Sequence, residues 1–159
     1  MRSFEEMESV FIVPIEKIEI DTRNRDDIPA IFVGLQYLYS NMELRQQVMT
    51  LMRDEVTLDS DHDTGRPGMN WWQVLVLATM KKGLDYDYPR LQDISNNHST
   101  LRLMLQHGIE DRYYYTERII QKNVDLLPVA VLNQISNLLV QEGLAVARKR
   151  PWQLLRRPS

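Results

Sequence analysis

From residue 28 onward, apolar side chains recur at three- and four-residue intervals, the spacing that puts one stripe on an α-helix. Ile28, Phe32, Leu35 and Leu38 or Tyr39 form the first stripe, opened by Asp26, Asp27 and Pro29, since acids and proline both suit a first helical turn. Asn41 is placed to cap a second helix carrying Leu44, Val48, Leu51 and Met52. The run Asp59 to Gly68 is dense in turn formers and predicts an exposed linker. The next segment, Asn70 to Lys82, is apolar around most of its circumference, which predicts a buried helix ended by Gly83. Pro89 opens a short helix with Leu91 and Ile94 facing inward. Ser99 is placed to cap another, bearing Leu101, Met104 and Leu105 and ended by Gly108. Thr116 suits a further cap, with Tyr115 and Ile120 at hydrophobic-staple spacing, and Pro128 opens a last helix with Leu132, Ile135, Leu138 and Leu139. Only Val10 to Ile20 departs from this rhythm. It alternates loosely and contains Pro14, as an extended arm or edge strand would.

These elements predict a compact all-α fold of six or seven helices containing a helix-turn-helix. The expected organisation is an extended N-terminal arm over 1–24, a helical domain over 25–147 with the helix-turn-helix at about 70–108, and a basic, disordered tail over 148–159.

Composition narrows the function. With 43% hydrophobic and 26% charged residues the chain can bury a core. It has no cysteine, which excludes disulfides and thiolate metal sites. The acidic start, MRSFEEMESVF, does not resemble a signal peptide, and no apolar run nears the roughly 20 residues of a membrane span. A soluble cytoplasmic protein without membrane partners is expected. The net charge of -3 is uneven: residues 1–63 hold 6 basic and 14 acidic residues (-8), and residues 64–159 hold 13 and 8 (+5). A polyanionic partner would therefore meet the second half.

A recognition helix needs an apolar face toward its scaffold and small or polar residues at its first turn, which enters the major groove. Asn96, Asn97, His98, Ser99, Thr100 and Arg102 supply that pattern. Asn pairs with adenine and Arg with guanine, while Ser, Thr and His reach phosphates or base edges. Lys82 and Arg90, on neighbouring elements, are candidates for holding phosphates. The same Asn-Asn-His-Ser run is equally ordinary loop-and-cap chemistry.

Three stretches, Arg25 to Met52, Gly65 to Gly108 and, more weakly, Leu126 to Gly143, resemble the N-terminal region of bacterial insertion-sequence transposases of the ISNCY group. The likeness rests on the GRPG opening, the apolar helix and the run RLQDISNNHSTLRLML. It implies double-stranded DNA at the terminal inverted repeats of a mobile element as the partner, with Arg66, Arg90, Asn96, Asn97, His98, Thr100 and Arg102 on the family's patterned positions. Such transposases cut DNA through a later RNase H-like domain whose carboxylates hold two metal ions. The chain after Gly108 shows no strand pattern, so Asp111, Glu117, Asp125 and Glu142 are not expected to be catalytic. A fragment without catalysis, metal or cofactor is expected, its tail RKRPWQLLRRPS resembling the end of a disrupted reading frame. The alternative is a helical interaction module, pairing with itself or with full-length transposase through Leu132, Ile135, Leu138 and Leu139 without binding DNA.

Other clusters carry less. Asp59, Asp61, His62 and Asp63 lack calcium-loop spacing and read as a solvated acidic loop. His98 and His107 are too isolated for a zinc site, which leaves them structural or DNA-facing roles. Trp71, Trp72 and Tyr113 to Tyr115 have faces for base stacking, but core packing and the staple account for several of them.

Overall fold

The computed structural model describes residues 12–21, 23, 28–59 and 69–138, and among these every regular element is helical. Helix α1 (Ile28–Ser40) buries Ile28, Phe32, Leu35 and Leu38, the stripe read from the sequence. Asn41 alone separates it from α2 (Met42–Asp59), and its Oδ1 accepts from the Leu44 amide at 3.0 Å. Leu44, Val48 and Met52 face the core. Helix α3 (Trp71–Leu84) starts with a capping box, in which Asn70 Oδ1 accepts from the Gln73 amide and Gln73 Oε1 accepts from the Asn70 amide. Such a cap contributes about 1 kcal/mol. Trp72, Val74, Leu75, Val76, Leu77, Ala78 and Met80 are all buried on it, and α3 packs against α1, α2 and the later helices α4 (Tyr88–Asn97) and α6 (Glu117–Val124).

Gly83 does not end α3. The helix continues to Leu84, and Asp85 takes the left-handed conformation with φ 55°. A Cβ at Gly83 would lie 2.9 Å from Ile31 Cδ1, so this glycine serves the close approach of α1 to α3.

Asp87 caps α4 by accepting from the Arg90 amide, with Pro89 in the first turn. Helix α5 (Ser99–Met104) is capped by His98, not by Ser99: His98 is the extended residue between the helices, and its Nδ1 accepts from the Leu101 amide at 3.2 Å. Its ring also meets Phe32 edge-on at 5.8 Å, which a serine could not do. Gln106, at φ 69°, makes the left-handed exit from α5 that the sequence assigns to Gly108. Thr116 caps α6 as its spacing predicts, and Tyr115 and Ile120 are both buried there. Helix α7 (Val129–Leu138) follows Pro128 and packs on α2.

Residues 12–21 are not a strand. After Pro14 they make a 3-10 turn at Ile15–Lys17, with Ile15 and Ile18 buried. The Gln36 amide donates from α1 to the Ile15 and Ile18 carbonyls at 3.0 and 2.7 Å, so side-chain anchoring replaces the ladder of an edge strand. No described helix is long and apolar enough to cross a membrane.

Candidate nucleic-acid interface

Helices α4 and α5 meet at a corner of one residue, His98. Leu91 and Ile94 hold α4 to the core, and Leu101 and Met104 hold α5. The remaining faces at the corner are polar. Ser99 and Asn97 are exposed and Thr100 is half-buried. Asn97 Nδ2 donates to Asp93 Oδ1 at 2.8 Å one turn back, on the exposed side of α4.

The basic candidates sit differently. Arg90 is exposed on the first turn of α4, 3.5 Å from Asp93 and over the Tyr86 ring. Lys82 is exposed near the end of α3, where its Nζ donates to Asn133 of α7 at 2.9 Å. Arg66, the acidic run Asp61, His62 and Asp63, and residues 148–159 lie outside the described residues. Between residues 69 and 138, Lys81, Lys82, Arg90, Arg102, Arg112, Arg118 and Lys122 are matched by Asp85, Asp87, Asp93, Glu110, Asp111, Glu117 and Asp125. The helical body from α3 to α7 is therefore electrically neutral, and the positive excess of the second half belongs to Arg66 and the tail.

Asn96 and Arg102 are engaged inside the protein. Asn96 pairs with the Tyr115 backbone in both directions, accepting from its amide at 2.7 Å and donating to its carbonyl at 2.9 Å. Its second amide hydrogen is directed at the Gln92 carbonyl. The Arg102 guanidinium donates to the carbonyls of Tyr113 at 2.8 Å, Asp111 at 2.9 Å and Ser95 at 3.4 Å. Base reading by these two side chains would require breaking those bonds. Through these bonds the two side chains fasten the 108–116 loop to the α4–α5 corner.

That fastening is completed by His107, Asp111 and Tyr115, which the sequence presents separately and does not connect. His107 is buried, with Nδ1 at 2.8 Å from Asp111 Oδ2 and Nε2 at 2.5 Å from the Tyr115 hydroxyl. Asp111 Oδ1 also accepts from the Tyr113 amide, and Tyr113 stacks on the imidazole at 5.5 Å. Burial lowers the His107 pKa and outweighs the opposing pull of Asp111, so the ring is neutral at pH 7. The contact is then a hydrogen bond from Nδ1–H to a carboxylate, with Nε2 accepting from Tyr115. Burial alone would raise the Asp111 pKa, but its hydrogen bonds from His107 and the Tyr113 amide hold it below the usual range. Burial raises the Tyr115 pKa, as does the nearby Tyr113. The Asp–His–Tyr chain runs from the exposed Asp111 through the buried His107 to Tyr115, which is 1% exposed, and so ties the loop to the core. No group of metal-ligating side chains occurs among the described residues.

The signal for this lock was present but spread out. His107, Asp111 and Tyr115 follow one another at four-residue steps through a segment with no apolar stripe, so its backbone had to be satisfied by polar side chains of the flanking helices. No known protein family, no curated protein and no solved structure matches the chain.

Proposed function

We propose that the chain binds duplex DNA through the α4–α5 corner, and that its natural target is the end of a mobile element. The observation that carries this reading is the corner itself: two short helices joined by one residue, their apolar faces held in the core, with small polar side chains at the junction. The resemblance to insertion-sequence transposases supports the target class. In this reading Ser99, Thr100 and Asn97 face base edges, while Arg90 and Lys82 contact phosphates. Asn96, His98 and Arg102 act indirectly by fixing the corner's shape. Catalysis is not assigned to this chain.

The neutral helical body makes a quantitative demand. Two phosphate contacts, from Arg90 and Lys82, give a salt slope of about -2, and engagement of Arg66 and the five basic residues at 148–157 raises it to roughly -7. Fluorescence anisotropy of the whole chain on duplexes flanking its gene and on scrambled duplexes, at several salt concentrations, measures both slope and preference. The Ser99→Glu variant places a negative charge on the corner while suiting a first helical turn. It should weaken binding by about tenfold or more with unchanged melting. Absence of binding to any duplex at low salt would overturn the proposal.

A further inference from the structure

The 108–116 loop presents its largest apolar side chains to solvent: Ile109 is 83% exposed, Tyr114 62% and Tyr113 42%. Exposed loop tips are ordinarily loose, but this one is held by Arg102 on the Asp111 and Tyr113 carbonyls, by Asn96 and Gln92 on Tyr115, and by the His107–Asp111 pair. A rigid loop bearing Ile, Tyr and Arg has the make-up of a protein interface, and its rigidity lowers the ordering cost of association.

We propose that this loop is the surface through which two copies of the chain associate about a twofold axis. A twofold interface must be complementary to itself. The loop meets that condition: beside the exposed Ile109, Tyr113 and Tyr114 it carries the flanking pair Glu110 and Arg112, while the second exposed acid between them, Asp111, is already tied to His107 and the Tyr113 amide. Neither flanking residue has an ion-pair partner among the described residues. Across the axis, Glu110 of one copy faces Arg112 of the other, twice. The loop's lack of net positive charge also makes it a poor match for a polyanion. The apolar face of α7 does not compete for this role: Val131 and Ile135 are buried, and Leu132 and Leu138 are packed against the core. Leu139 lies outside the described residues. This inference stands independently of DNA binding.

Sedimentation velocity of the full chain over a concentration series tests it. The wild type should show a concentration-dependent dimer, and Tyr114→Asp should weaken it at least tenfold. Glu110→Arg and Arg112→Glu should each weaken self-association, because each places like charges opposite one another. Mixing the Glu110→Arg and Arg112→Glu chains should restore association, as should combining both changes in one chain. Circular dichroism establishes that each variant is folded, and the two charge reversals break no described ion pair. A chain that stays monomeric at several hundred micromolar would overturn the proposal. So would a dimer indifferent to Tyr114→Asp and the single reversals, or reversals that are not rescued by mixing.

Discussion

Replacing Asn96 with alanine separates a loop fastener from a base reader in one experiment. The amide makes two bonds to the Tyr115 backbone, at 2.7 and 2.9 Å, and one to the Gln92 carbonyl. The Gln92 carbonyl is already a helical acceptor, and the Tyr115 carbonyl keeps the Gln92 side-chain amide at 3.1 Å. The Tyr115 N–H has no second partner among the described contacts, so the truncation leaves it unsatisfied. Two lost hydrogen bonds and one orphaned donor cost about 2–4 kcal/mol, and the better helix propensity of alanine offsets only about 0.5 of that. For a chain of this length the melting temperature should fall by roughly 3–14 °C. Thermal and urea melts by circular dichroism read the stability, and anisotropy on a duplex reads affinity at a temperature where the variant is folded. If Asn96 reads a base, the pattern inverts: melting stays within about 2 °C of wild type and affinity falls. That outcome would refute the fastening role.

Three further outcomes follow from the same region. The unfolded His107 takes up a proton near pH 6.5, and the folded ring only at lower pH, so stability present above that value declines as pH falls below it. The Asp111 carboxyl, lowered on folding, adds a second loss below the ordinary carboxylate range. Urea midpoints from pH 8 to about 2 should show both, and His107→Gln should flatten the first; an unchanged slope would sink the assignment. Arg102→Lys should destabilise by about 2 kcal/mol, because one ammonium cannot span carbonyls on Ser95, Asp111 and Tyr113; a wild-type melt would show that only charge matters there. Trp72→Phe removes the indole donor to the Met104 carbonyl at 2.8 Å together with core volume. Chemical denaturation should register a loss of about 2–3 kcal/mol, and a loss below about 1 kcal/mol would contradict that tie.

The helical class and most helix positions were legible because each rests on local signals. The Phe32–Leu35–Leu38 stripe, the Asn41 and Thr116 caps and the apolar circumference of α3 are all written within a few residues. What was not legible depended on distant partners. Ile15 and Ile18 read as an alternating strand because Gln36, which satisfies their carbonyls, is 21 and 18 residues away. His98 displaced Ser99 as a cap because Phe32 offered its ring a contact. Asn96 and Arg102 carry groups suited to bases, and nothing local reveals that Tyr115, Asp111 and Tyr113 hold those groups instead.

The first turn of α3 and the end of α5 are joined three times over. Trp72 and Gln73 donate to the carbonyls of Met104 and Leu105, and Asn70 donates to Gln106. Residues 70–106 therefore form a closed ring whose seam lies where the segment both begins and ends. A ring of this kind opens as one cooperative unit, because freeing either end removes the same bonds. Native-state hydrogen exchange should find the amides of α3 and α5 sharing one opening free energy, although they are far apart along the chain. The corner between α4 and α5 rides on that unit, so what it presents to a partner is set at the seam.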